Sequence, residues 1–244
     1  MRRSSIFLVF LSILIISCQK EAKTGFDVIE IMKAKYNNTF YNHFTFAQHV
    51  NKYQNDSVIG KEIWYEAYSF PNKLILKLDG FDTGNGVIFR NDSIYLFKDS
   101  LQVTSYKRIH DLIVLGLDIY ELPAEEIYSK IKEIGYDLNK ICSATIDGRP
   151  MYCIGVEDEK EAANKFYIDK EYLYFVKNTK YQKEDINETV FSNYQTIDGK
   201  VVATKILFYK NGDLIMDEEY FDIKFPENLD LSIFEPSNFV NASW

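Results

Sequence analysis

A chain of 244 residues that is 46% hydrophobic and 26% charged, with only 11 Gly and 5 Pro, is neither a disordered segment nor a collagen-like fibre nor a small disulfide scaffold. A formal net charge of -8 excludes a basic surface that tracks phosphates, so no nucleic-acid partner is expected. The 3 Cys and 3 His lack the spacing of a zinc site, and no metal or cofactor is expected.

Residues 1–17 read as a targeting segment to be set aside before the fold is considered. Arg2 and Arg3 precede an apolar run, residues 6–16, broken only by Ser12. A membrane-spanning helix needs ~20 such residues, so the run reads as the apolar core of a signal peptide. It ends in Ile15-Ile16-Ser17-Cys18, which resembles the bacterial lipobox, whose Cys becomes the lipidated N-terminus. The alternative is an ordinary secretory peptide with a Cys at this place by chance. The lipobox reading makes 1–17 a lipoprotein signal peptide, Cys18 the lipid anchor, 18–25 a polar tether and 26–244 a single domain. It places the chain in a bacterial cell envelope as an outer-membrane lipoprotein, on the periplasmic or the surface side, with its N-terminal lipid in the membrane. No later segment is long and apolar enough to span a bilayer.

Residues 26–36 carry a helical spacing through Phe26, Ile29 and Met32, with Asp27 and Glu30 in the first turns. Strand patterns follow at 40–53, 58–70, 74–78, 87–90, 93–98 and 101–107, with Asn91-Asp92 and Asp99-Ser100 as turns. The period then becomes helical. Residues 109–122 repeat through Leu112, Leu115 and Ile119, and Pro123 opens a second helix over 124–134 that Gly135 closes. Strands resume at 141–146, 150–157, 165–168, 172–181, 186–195, 200–210 and 214–225. Asp198-Gly199 and Asn211-Gly212 are hairpin signals. The strands have one apolar and one polar side, which describes a large antiparallel sheet packed on one face.

A two-residue Asp147-Gly148 loop sets Cys142 opposite Cys153 and Pro150 opposite Thr145. The pair is a disulfide candidate, the alternative being two buried thiols; either role is structural. No catalytic residue is assigned. There is no GxSxG, Walker loop or GxGxxG, and the GFDTGNG stretch at 80–86 reads as a hairpin loop. His43 and His49 share a strand face, and the acidic runs 157–159 and 217–219 read as solvated charge. An enzyme is not expected.

The order of elements, together with DVIEIMKAKY at 27–36, GKEIWYEAYSFP at 60–71, FYIDK at 166–170 and LDLSIF at 229–234, resembles the LolA/LolB superfamily of periplasmic lipoprotein carriers and receptors. Its relatives include the RseB sensor domain and outer-membrane lipoprotein-sorting proteins. The resemblance implies a mainly β (α+β) fold, an incomplete antiparallel β-barrel with an N-terminal helix and a two-helix lid. It also implies a cavity for a hydrophobic or amphiphilic ligand, a lipid or a lipoprotein's acyl chains, in lipid or lipoprotein trafficking. The alternative function is an envelope protein-interaction or stress-sensor module without a transported ligand, in which case the partner is another envelope protein. Candidate lining residues are Phe44, Phe46, Ile63, Tyr65, Leu74, Leu76, Leu78, Phe89, Leu96 and Phe208 on strands, with Leu112, Leu115 and Ile119 on the lid. Arg90 is the candidate for an inward-facing arginine. Cys18 makes the chain resemble the anchored receptor rather than the soluble carrier.

Overall fold

The computed structural model describes residues 22–36 and 39–244. The expected signal segment and Cys18 lie outside the described residues. The first helix, α1 (Gly25–Tyr36), begins at a reciprocal cap. Thr24 Oγ1 accepts the Asp27 N–H at 3.2 Å, and the Asp27 carboxylate accepts the Thr24 N–H at 2.9 Å. Its apolar stripe, Val28, Ile29 and Met32, is fully buried.

Among the described residues, thirteen strands form one antiparallel sheet. The first six are β1 (His43–Gln54), β2 (Ser57–Ser69), β3 (Lys73–Leu78), β4 (Gly86–Arg90), β5 (Ser93–Lys98) and β6 (Leu101–Lys107). The remaining seven are β7 (Ile141–Ile146), β8 (Arg149–Ile154), β9 (Lys165–Asp169), β10 (Phe175–Gln182), β11 (Asp185–Ile197), β12 (Lys200–Lys210) and β13 (Asp213–Lys224). Their spatial order is β6-β5-β4-β3-β2-β1-β13-β12-β11-β10-β9-β8-β7. The expected hairpin turns form: Asp147-Gly148, Asp198-Gly199 and Asn211-Gly212 all take positive φ at both positions, as a type I′ turn requires.

This order has a topological consequence. The chain walks outward from β1 to one edge at β6, and must then reach the opposite edge at β7. The link is helical: α2 (Asp111–Gly116), a 3-10 turn at Asp118–Tyr120, and α3 (Ala124–Glu133). β6 and β7 do not pair, so the sheet is not closed into a barrel. The mainly β half-barrel with helices is thus as expected.

The expected continuous helix over 109–122 is not. It breaks at Leu117 (φ -128°, ψ -65°), and the next residue, Asp118, turns its buried carboxylate to Tyr68 of β2 and the Asn72 N–H in the β2–β3 turn. α3 ends where Gly135 adopts φ +88° and the Tyr136 N–H bonds the Ile131 carbonyl at 3.1 Å, a glycine-closed helix end.

Two apolar clusters occupy the inner face. One joins α1, Leu115, Ile119 and α3 to β8–β10; the other joins β1–β5 to Ile113 of α2. The helical link therefore packs on both halves of the sheet. A third cluster corrects the expectation of a sheet packed on one face only. On the outer face Ala67, Ile75, Ile88 and Phe97 are covered by Ile233, Phe234, Phe239 and Ala242 of the C-terminal segment. Phe239 stacks on Phe97 at 3.9 Å between centroids, and its ring lies 4.1 Å from the ammonium of the fully buried Lys77. Arg90 is not inward: it pairs with Glu235 and donates to the Phe234 carbonyl at 3.2 Å, clamping this segment.

Cys142 faces Cys153 and Pro150 faces Thr145, in the register that the hairpin loop dictates. Both cysteines are thiols in the structure, and burial pushes the Cys153 thiol up to about 12. Phe239→Ala should lower the unfolding free energy by about 3–5 kcal/mol, because it empties the outer cluster and uncovers Lys77. Urea denaturation measures this; an unchanged midpoint would show that the segment is not docked.

Candidate functional site

A cavity of about 300 Å³ lies between the inner face of the sheet and the helical link. That is within the ~300–1,000 Å³ range of small-molecule sites. Its floor comes from β1 to β4: Phe44, Phe46, Trp64, Glu66, Tyr68, Leu74, Leu76, Leu78, Val87 and Phe89. Its far wall is Phe191 and Tyr194 of β11, Val202, Ala203 and Phe208 of β12, and Met216, Glu218 and Tyr220 of β13. The roof is His110, Leu112, Ile113, Gly116 and Leu117.

The aromatic side chains pack against one another. Phe46 stacks on Phe44 at 4.5 Å and on Tyr220 at 4.1 Å, and His110 meets Phe89 edge-on at 4.4 Å. Burial pushes the His110 imidazole down to about 4, so it is neutral at physiological pH. Gly116 lets the roof approach the wall: a Cβ there would stand 2.9 Å from the Phe191 ring.

The roof is tethered at several points. Tyr68 donates to Asp118 Oδ1 at 2.7 Å, Phe40 donates its N–H to Glu121 at 3.2 Å, and Lys180 pairs with Asp111 at 3.0 Å. Burial pushes the Asp118 carboxyl up to about 6, against the bonds from Tyr68 and Asn72.

Of the residues read from sequence as lining, Phe44, Phe46, Leu74, Leu76, Leu78, Phe89, Leu112 and Phe208 meet at this cavity. Leu96 packs against the same inner cluster without reaching it. Leu115 and Ile119 turn away, into the cluster beneath α1. Ile63 and Tyr65 lie on the opposite face: Ile63 is exposed, and the Tyr65 ring packs on Phe81 at 4.8 Å. Ala67, on the same face as Ile63 and Tyr65, belongs to the outer cluster.

The cause of this reversal is a bulge. The β1–β2 pairing runs Gln54↔Ser57 and Tyr53↔Val58, then skips Ile59 to Lys52↔Gly60. One extra residue turns the rest of β2 over, so that Trp64, Glu66 and Tyr68, not Ile63, Tyr65 and Ala67, share the face of Phe44 and Phe46.

Sequence reasoning missed the polar end of the cavity. Glu66 and Glu218 are buried there, and Gln48, wholly buried between them, donates to Glu66 at 2.8 Å. Glu218 was read as solvated charge. Desolvation raises both carboxyls: Glu218 to about 8, and Glu66 well above its ordinary value, with the Glu218 charge adding to it. The described lining residues include no Ser, Thr, Cys, Lys or Arg.

No family profile and no curated sequence matches the chain. Solved structures do. A domain described as that of an outer membrane lipoprotein-sorting protein from Vibrio parahaemolyticus matches with TM-score 0.58 at 15% identity, over 89% of this chain and 98% of that one. A LolA superfamily protein from Nitrosomonas europaea matches with TM-score 0.56 at 14% identity, over 87% and 98%. A DUF1329 family protein from Desulfovibrio piger matches with TM-score 0.55 at 15% identity, over 87% and 96%. The chain has the LolA-type fold that its sequence pattern resembles.

Because both carboxyls titrate above the 4.5 of an unfolded Glu, the stability they contribute is full below pH 4.5 and is lost as pH rises through about 8. The melting temperature should therefore fall between about pH 5 and about pH 9, and fall less in Glu66→Gln/Glu218→Gln. Differential scanning calorimetry reads the two slopes; equal slopes would mean that the carboxylates are solvated.

Proposed function

We propose that this chain is an envelope lipoprotein that holds the hydrocarbon part of an amphiphile, a lipid or a lipoprotein's acyl chains, in the cavity beneath its helical link. The observation that carries the reading is the cavity itself. An open sheet has left a space of about 300 Å³ among Phe, Tyr and Leu side chains, roofed by Leu112, Ile113 and Leu117. Water gains little from such walls, and hydrocarbon gains roughly 0.8 kcal/mol for each CH2 transferred.

The anchor in this proposal is Cys18, lipidated after removal of residues 1–17, with the outer membrane as its site. The likeness to structures described as lipoprotein-sorting and LolA superfamily proteins supports a holding role in the envelope rather than a reaction. The roof is held by bonds at Asp118, Glu121 and Asp111 and by Ile113, Leu115 and Ile119 packed into the two inner clusters, and an entering chain passes beneath it.

A second reading, an envelope protein-interaction module, is favoured by one observation. β6 is an edge strand with every residue exposed, Leu101, Val103 and Tyr106 included. Such an edge accepts an added strand from a partner.

The test is a chain beginning at Gln19, which keeps every described strand and helix. Native mass spectrometry should detect co-purifying lipid, and a fluorescent long-chain alcohol should bind. Ala203→Phe, which fills the cavity from β12, should weaken binding at least about tenfold with the circular dichroism unchanged. No lipid and no probe binding, together with capture of a protein that Val103→Lys abolishes, would favour the second reading.

A further inference from the structure

The cavity is apolar except at one end. There β2, β1 and β13 bring Glu66, Gln48 and Glu218 to one face: Phe46 of β1 pairs with Glu66, Gln48 with Trp64 and Tyr220, and Val50 with Glu218. Glu66 and Glu218 are 6% and 7% exposed and line the cavity; Gln48 is 0% exposed beside them. The Gln48 amide nitrogen is spent on the carboxylates, and its Oε1 has no hydrogen-bond partner among the described residues.

Among the described residues no cation is paired with these acceptors. Phe46, Trp64, Phe208, Met216 and Tyr220 line this end, and the Tyr220 hydroxyl, a neutral donor, is pushed up by desolvation and by the two carboxylates. Asp217, on the opposite face of β13, adds negative charge to Glu218. Lys52, further along β1, is paired with Glu62, its ammonium 5.8 Å from the Trp64 ring. In the roof, His110 is the lining group that could carry positive charge, and burial keeps it neutral. Two buried carboxyls therefore line a hydrocarbon-walled space without a charged donor among the described residues, with the Gln48 amide buried behind them. Protons can neutralise the two carboxyls, and a protonated one can donate to the Gln48 oxygen, so without a ligand the site is satisfied only while it holds protons.

An ammonium meets this need. It has three N–H donors and no acceptor, it carries the charge that two carboxylates oppose, and the Phe46, Trp64 and Tyr220 rings attract cations to their faces. A carboxylate or phosphate head without an amine would meet repulsion instead. We propose that this end of the cavity takes the protonated primary amine head of an amphiphile, whose hydrocarbon chain lies between the aromatic floor and the helical link. The inference rests on the amphiphile-holding reading and names the ligand's class.

Binding then expels protons. The amine needs ionised carboxylates, so affinity rises as pH climbs through the range in which Glu218 and Glu66 lose their protons, while an alkylamine stays charged up to about pH 10.

The experiment displaces the fluorescent alcohol from the chain beginning at Gln19. Dodecanol, dodecylammonium and dodecanoate, all below their micelle concentrations, are compared at about pH 6 and about pH 8.5. At the higher pH dodecylammonium should bind at least about tenfold tighter than dodecanol, and dodecanoate more weakly than either. At the lower pH the preference should shrink several-fold. Glu66→Gln/Glu218→Gln should lose the preference for the amine over dodecanol at the higher pH. If that variant does not fold, the pH dependence of the unaltered chain decides. Dodecanol that binds as well as the amine at the higher pH overturns this inference alone. Dodecanol that fails to displace the probe overturns the holding role as well.

Discussion

An open sheet has two unsatisfied features: an apolar face with nothing opposite it, and two edges with unpaired backbone groups. Most of the structure follows from how the chain handles the first. Thirteen strands are laid down as two fans that meet at β1 and β13, one growing toward β6 and the other arriving from β7. The chain must cross the mouth once to pass between the fans, and it crosses as helix, bonding its own backbone where no strand is available. The crossing buries Ile113 against one half and Leu115 against the other. Because helices meet a bent sheet along lines rather than over its whole surface, the space between is incompletely filled.

That space is unusual in its polarity. Neutral carboxyls in an apolar wall cost stability whenever pH favours their ionisation, and a packed core of this size has no structural need of them. Glu66 and Glu218 are not excused by a buried Lys or Arg, in contrast to Asp169, whose carboxylate is met by Arg149 at 2.6 Å. Elsewhere the fold pairs its buried charges with care: Lys77 lies against the Phe239 ring and two carbonyls, and Asp118 accepts from Tyr68 and Asn72. The exception lines the cavity beneath the helical link, which ties the energetics of the fold to the proposed site.

The sequence made the element order legible because the local signals are strong: Gly and Asn/Asp at the turns, a change of apolar period at residue 109, Pro123 and Gly135 around α3. It also made half the cavity legible, since Leu74, Leu76, Leu78 and Phe89 alternate cleanly. Faces assigned by polarity failed on β2, where the inward residues include Trp64 and Glu66 and the outward ones Ile63 and Ala67. The signal that would have found them is the bulge at Ile59, which no residue type announces. Ala67 is small and outward because the C-terminal segment packs there, and a stretch of short 3-10 turns has no period to read. The Asp217-Glu218-Glu219 run hid its buried member, because alternation alone cannot say which of three acids a strand turns inward.

The central claim is a hollow that hydrocarbon can enter beneath the crossing. Anomalous diffraction from crystals grown with a bromine-tagged long-chain alcohol tests it most directly. The account predicts bromine density enclosed by Phe44, Phe89 and Leu112, with the sheet and α2 in place. Side chains closed over that volume, with bromine only at the surface or nowhere, would contradict it.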